Sequence, residues 1–541
     1  MSFSPPQEKE KEKKERKMKK RSKAPLMATL LSFFLLTFVF QFHHKLATRI
    51  HFSDPSLSLF TQPNSNSDSN PNPPPQHTAS VLLQDWQVLV FQFYPSLEAS
   101  RRFSCLFRDN SVTPARATSS NDAFVCPMPR RLRIRRPFYS PLLVASDNPV
   151  RKHYLNAFPL MVRWNWIVYE SLSTADDVIV FAKGVNTKQG SNRPASDLTC
   201  LFYLSDSRAP FYTTAATSSS QEVFRCHHPD LNALPESTNQ IFVSLRISNS
   251  DYSSDPLPSV AIYTPPSAQA VVQQKIKICA CTMVYNSAKF LPEWVRYHSA
   301  IGVEKFFLYD NGSDDRLNLT VNRLQSNRFD ISTRFWPWPK SQEAAFSHCA
   351  AINRDRCEWM AFIDVDEFVY SPSWSNSTRP NRSMLGSFLP GQPRVGQVSI
   401  GCYDFSPSGQ TSHPKNGVVK GYTCRRHAEE RHKSLVRLDA VDRSLVNSIH
   451  HFGLRDGYEW GKVEWARINH YKYQAWDEFK VKFRRRASAF VPDWMDKVNP
   501  ASRDRTPGLG FEPVQPAGWA WKFCETNDTR LRDLTSKWFH R

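Results

Sequence analysis

The chain runs to 541 residues, room for two or three domains of roughly 100–200 residues each. Hydrophobic residues make up 40% and aromatics 13%, which excludes a wholly disordered chain. The net charge of +20 is compatible with nucleic acid, but its distribution speaks against that partner: residues 1–23 alone hold ten Lys/Arg and four Glu, the rest is diffuse, and no helix-turn-helix, zinc-finger or ribonucleoprotein signature occurs.

Residues 24–40, APLMATLLSFFLLTFVF, carry no charge. As a helix they span about 26 Å, enough for a thin bilayer. The segment predicts a transmembrane anchor over 24–42, with the basic tail 1–23 in the cytosol and the rest of the chain in the lumen. A cleaved signal peptide is the rival, but its apolar core usually runs roughly 7–15 residues and ends at small residues. Residues 43–80 are rich in Ser, Pro and Asn and predict a stem. Five Asn-x-Ser/Thr sequons, at Asn311, Asn318, Asn376, Asn381 and Asn527, suit a lumenal chain.

Residues 81–270 predict a β-rich domain. Runs such as Val178–Phe181, Leu198–Leu204 and Ile241–Ile247 are β-branched and aromatic, and Ser, Asn, Asp and Pro clusters separate them. A weak repeat places Cys105 before Cys126 and Cys200 before Cys226. Each pair suits a hairpin staple in an oxidising compartment, although four cysteines admit three pairings and four buried small hydrophobes is the plainer reading.

From residue 271 the pattern changes to alternating strands and helices. Ile276–Tyr285 is an apolar run ending at Asn286-Ser287, and a helix with Trp294, Val295 and His298 on one face stops at Gly302. A strand over Val303–Tyr309 ends at Asp310. A helix over Leu317–Leu324, a strand over Ile331–Phe335 and a helix over Ser341–Arg356 follow. Trp359–Ile363 is a further buried strand, ending in Asp364-Val-Asp366-Glu367. This succession predicts a parallel α/β sheet. Ligands bind beyond the carboxyl ends of such strands, so Asn286, Asp310 and the 364–367 group are expected to share one crevice.

Asp364 and Asp366 stand two apart, and two carboxylates on one side call for a cation. A hard divalent ion held there keeps positions open for a diphosphate. Trp336 and Trp338 read first as packing, with sugar stacking second. His348, Cys349, Cys279 and Cys281 read as core.

Beyond these patterns, residues 276–480 resemble glycosyltransferase family 92, which includes plant galactan synthases. The resemblance rests on CTMVYNSAKFLPEWVRYHSAIGVEKFFLYDNGSDD (281–315), SQEAAFSHC (341–349), WMAFIDVDEFV (359–369), PSGQTSHP (407–414), KSLVR (433–437) and NHYKYQAWDEF (469–479). It implies a GT-A type nucleotide-binding sheet, a UDP-sugar donor with UDP-galactose the common case, Mn2+ or another divalent cation, and inversion onto a glycan acceptor. It carries Asp364, Asp366 and a late histidine, His451 or His470, to the metal, and Asn286, Asp310 and Asp364 to the donor. Inverting transfer also needs a general base, usually a carboxylate, for which Asp404, Glu464 and Asp477 are the candidates in the right half of the chain, with no choice among them. The resemblance places the chain in the Golgi membrane as a single-pass type II protein of cell-wall polysaccharide synthesis, with the β-rich domain in the position of a carbohydrate-binding module and homodimers permitted. The competing classes are a catalytically silent glycan-binding or scaffold protein and a metal-dependent phosphoester hydrolase. Intact Asp364 and Asp366 oppose decay, and the early ligand cluster of a hydrolase is missing.

Overall fold

Among the described residues between Thr78 and Tyr263, the regular structure is strands with three short 3-10 turns, as the β-branched and aromatic runs dictate. The computed structural model describes residues 78–92, 102–118, 123–133, 137–146, 158–186, 191–204, 207, 209–230, 240–248, 255–266, 274–488 and 515–539. The expected tail, the anchor and all but the last residues of the expected stem lie outside them, and no helix among the described residues is long and apolar enough to cross a membrane. The first strand, Thr78–Leu82, begins inside the segment read as stem, so the β-rich region starts three residues earlier than its expected boundary.

That region contains two disulfide-stapled assemblies. Cys105, on a three-stranded sheet, bonds Cys126, on a five-stranded sheet, and Trp86, Val88, Val90 and Phe107 pack around the bond. Cys200 bonds Cys226 within a seven-stranded sheet. Both staples expected from the repeat are formed.

The α/β half starts with β1 (Ile276–Val284), α1 (Leu291–Ile301), β2 (Lys305–Asp310), α2 (Leu317–Ser326), β3 (Asp330–Phe335), α3 (Gln342–Ile352) and β4 (Cys357–Phe362). These match the strand–helix succession in the sequence. Gly302 closes α1 at φ +127°, where a Cβ would meet the Arg382 carbonyl oxygen at 2.1 Å. Then follow β5 (Glu367–Tyr370), β6 (Val395–Asp404), β7 (Arg431–Arg437), β8 (Glu459–His470), α4 (Trp476–Ser488) and α5 (Arg530–Trp538). The eight strands form one sheet in the order 3-2-1-4-7-6-8-5. Strands β1 to β4 are mutually parallel, whereas β7 runs antiparallel to β4 and β6, and β5 antiparallel to β8. The expected parallel sheet is therefore a mixed one, because the later connections return as hairpin-like excursions rather than helical crossovers.

One face of this sheet is buried against the β-rich region. Cys279, Cys281, Phe346, Met360 and Phe362 share a core with Leu89, Val125, Tyr169, Phe181 and Val223. Trp336 is fully buried there, its ring 5.8 Å from both Tyr169 and Phe181, and Trp338 lies 4.8 Å from Tyr169. Both tryptophans are packing residues, each adding about 1.5–3 kcal/mol of apolar burial. Cys279, Cys281 and Cys349 are core residues as expected, and they are also disulfide-bonded, which the sequence did not indicate: Cys279 bonds Cys357 and Cys281 bonds Cys349, tying β1 to β4 and to α3. The spacing hid this, since 78 and 68 residues separate the partners.

Candidate active site

The carboxyl ends of β2, β1 and β4 lie side by side, because Val284 is in register with Asp310 and Cys281 with Phe362. At strand spacings of about 4.8 Å, Asp310 and the turn after β4 are separated by roughly 10 Å across the sheet. Asn286 adopts φ +48°, a left-handed backbone that asparagine tolerates better than most residues. Its side-chain oxygen accepts from the Asp314 amide at 2.9 Å, and its own amide donates to Ser313 Oγ at 3.1 Å. Asp310 is buried and accepts from the Ser313 amide at 2.8 Å. Burial raises its carboxyl above the usual range, against the opposing pull of the Ser313 hydrogen bonds and of Arg116.

After β4 the chain does not continue as extended strand. The Glu367 amide donates to the Asp364 carbonyl at 3.0 Å, and the Asp364 amide donates to Glu367 Oε2 at 2.9 Å. This closed turn replaces the alternating geometry expected of Asp364 and Asp366 and brings Glu367 into the group. Asp366, Glu367 and His470 each offer a ligand atom, and these atoms lie within 4.8 Å of one another. His470 Nε2 is 3.7 Å from Asp366 Oδ2 and 3.6 Å from Glu367 Oε1. The sheet register produces this convergence: His470 is opposite Glu367 on β5 and opposite Asp404 on β6, so the three side chains form a row across adjacent strands. Two carboxylates and an imidazole suit a divalent cation such as Mn2+.

Asp404 lies behind that group. Its Oδ1 is 2.9 Å from His470 Nδ1, and its Oδ2 accepts from Lys472 at 2.5 Å. Burial opposes ionisation of Asp404, but His470 and Lys472 outweigh it and bring its pKa down to about 2. Burial likewise works against charge on His470, yet Glu367, Asp366 and Asp404 together raise its pKa above the usual imidazole range.

Asp364 stands beside the group. Its Oδ1 accepts from Gln342 Nε2 at 3.1 Å and its Oδ2 from Lys433 at 3.0 Å. Lys433 is buried and also lies 2.6 Å from both Glu367 Oε1 and His450 Nε2. Burial disfavours the Asp364 carboxylate, but Lys433 and His450 hold its pKa well below the usual value. Asp366 is held low in the same way by Lys482 on α4, at 2.5 Å, and by His470, against burial and the neighbouring Asp364. Three carboxylates in four residues thus meet two ammonium groups.

The remaining candidates lie elsewhere. His451 faces His432, with Nε2 3.1 Å from the His432 carbonyl oxygen, and burial brings its pKa down to about 4. The side chain of Glu464 is 81% exposed and that of Asp477 77% exposed. Asp477 sits five residues before Lys482 on α4, about 7.5 Å along the helix axis. Sequence reasoning missed Lys433, Lys482, His450 and the metal-side placement of Glu367. Lys433 opens the run KSLVR, whose Ser434 and Arg437 are also polar, so no local pattern singles it out. Nothing local marks Lys482.

Residues 274–504 match the profile of Glycosyltransferase family 92. A family 92 protein of Oryza sativa subsp. japonica is 38% identical over 488 residues, covering 85% of this chain and 80% of its own. Another from Ricinus communis is 37% identical over 480 residues, covering 84% of each. Among solved structures, a mannosyltransferase from Pyrobaculum calidifontis in complex with GDP-Man and Mn2+ is similar over 44% of this chain and 70% of its own, at 13% identity and a TM-score of 0.26, a likeness too slight to carry an argument. On the strength of the two plant relatives, the chain is a glycosyltransferase and belongs to glycosyltransferase family 92.

Proposed function

We propose that the chain is a metal-dependent hexosyltransferase of GT-A type that moves galactose from UDP-galactose onto a glycan acceptor with inversion. The observation that carries this reading is the row Glu367–His470–Asp404 beside Asp366, at the same edge of the sheet as Asn286 and Asp310. Asp366, Glu367 and His470 would hold the divalent cation, which when bound offsets negative charge on the departing diphosphate. Asp404 fixes the His470 ring, a carboxylate–imidazole support common behind metal ligands. In this reading Asn286 and Asp310 sit where uridine and ribose bind, and Asp364, clamped by Gln342 and Lys433, is a further donor-binding residue.

In an inverting transfer the acceptor oxygen bonds to the anomeric carbon as the bond to the diphosphate breaks, and a base takes the hydroxyl proton. Asp404 is committed to His470 and Lys472, and Glu464 lies on open surface. Asp477 is nearly as exposed, although its helix carries the Lys482 that reaches Asp366, so our reading assigns the base to none of the three.

The chain acts in this reading as a single-pass type II Golgi membrane protein. The apolar run 24–40 supports the anchor, and the five disulfides support an oxidising lumen. Four sequon asparagines, Asn318, Asn376, Asn381 and Asn527, are exposed, whereas Asn311 is buried and donates to the Trp336 carbonyl.

The test is turnover of UDP-sugars by the purified lumenal chain with Mn2+ and with chelator, beside Asp366→Ala. Release of UDP that requires both metal and Asp366 supports the reading. Glycan binding with no donor consumed under any metal sinks it in favour of a silent binding protein.

A further inference from the structure

The β-rich region does more than cover a sheet face. Its edge strand Arg116–Ala117 brings Arg116 to the loop that follows β2, where the guanidinium Nη1 donates to the Ser313 carbonyl oxygen at 3.0 Å. From the same region Gln84 Nε2 donates to Asn311 Oδ1 at 3.2 Å. Ser313 is buried, and every polar group it has is engaged. Its amide donates to Asp310, its hydroxyl accepts from the Asn286 amide, and its carbonyl takes Arg116. One residue therefore links the ends of β1 and β2 to each other and to the other half of the molecule.

We propose that Arg116 is a positioning residue of the donor site, acting through Ser313 to fix the spacing of Asn286 and Asp310 around a uridine diphosphate sugar. The inference rests on the transferase reading above and deepens it: the β-rich region is part of the donor machinery. A charged donor on a buried carbonyl fixes a loop more firmly than a neutral one. Loss of that hydrogen bond frees the 310–315 loop without touching the metal ligands.

The experiment compares wild type, Arg116→Ala, Arg116→Lys and the control Arg443→Ala, which cuts an interdomain ion pair with Asp177 that does not touch the loop. In the full lumenal chain, Arg116→Ala should raise KM for the UDP-sugar about fivefold to tenfold, with kcat and the acceptor KM within about twofold. Arg116→Lys should restore most of the loss, and Arg443→Ala should show none. A second readout needs no turnover: amide hydrogen exchange over 311–315 should quicken in Arg116→Ala alone. An unchanged donor KM, an equal effect in Arg443→Ala, or unchanged exchange overturns the proposal. If wild type consumes no UDP-sugar, the transferase reading fails, and the exchange measurement still decides whether Arg116 fixes the loop.

Discussion

Asp404 Oδ1 and His470 Nδ1 stand 2.9 Å apart across neighbouring strands, and that contact aims the other ring nitrogen at Asp366 and Glu367. Asp404→Asn removes the charge that orients the ring and also loosens Lys472. Removing such a support typically weakens metal binding about 10–100-fold. Titration of Mn2+ against the variant should show that loss with the fold retained; unchanged affinity would separate His470 from the metal.

The two lysines around the acidic turn should behave oppositely. Lys482 is 40% exposed and sits on Asp366, so on the metal-dependent reading it would compete with the cation for that carboxylate. Lys482→Met should lower the Mn2+ concentration needed for half-maximal activity. Lys433 is only 8% exposed and balances Asp364 and Glu367. Lys433→Met removes the ammonium paired with fully buried Glu367 and with Asp364, leaving His470 and His450 as the remaining cationic partners, and breaking such a buried pair typically costs about 3–5 kcal/mol. Chemical denaturation should register that loss.

Glu293 on α1 predicts a pH effect on stability. Its carboxylate accepts from the Val418 and Val419 amides at 2.7 and 3.1 Å, yet burial outweighs these bonds and pushes its pKa up to about 7. The folded chain then holds a proton that the unfolded chain has released. Stability from this group is complete at pH below the ordinary glutamate value and declines as pH rises toward 7. Between about pH 4.5 and 7, wild type should lose stability more steeply than Glu293→Gln in urea titrations. Parallel slopes would remove Glu293 as the cause.

All eleven cysteines are accounted for, with five bonds and one free thiol at buried Cys402. Protein denatured without reductant should titrate one thiol per chain, and peptide mapping should place it at Cys402. Reduction of Cys279–Cys357, which closes a 78-residue span, releases about 4.5 kcal/mol of loop-closure entropy to the unfolded chain.

The strand–helix succession from β1 to β4 was legible because its elements are periodic and punctuated: Gly302 stops α1, and polar or acidic residues follow β1, β2 and β4. The second half of the sheet was not. Strand β8 is mostly exposed over its first residues and bulges between Val463 and Arg467, so it shows neither alternation nor an apolar run. The site follows the same division. Asp364 and Asp366 were visible as a local pattern after WMAFI. His470 was one of two options, and only the β5–β8–β6 register distinguishes it from His451. Lys433 and Lys482 lie 69 and 116 residues from the carboxylates they balance, a separation no local pattern bridges. The roles of Gln84 and Arg116 depend on how two halves of the chain meet, which the linker composition at 265–275 leaves open.

The shared apolar layer beneath Trp336 and Phe362 also bears on how this protein can be produced. A fragment starting near residue 274 would keep the family-matched segment yet present Trp336, Trp338, Met360 and Phe362 to water. Such a surface invites aggregation whatever the state of the acidic turn. Useful expression boundaries therefore lie upstream of Thr78, and failure of a shorter fragment would report on missing packing, not on missing chemistry.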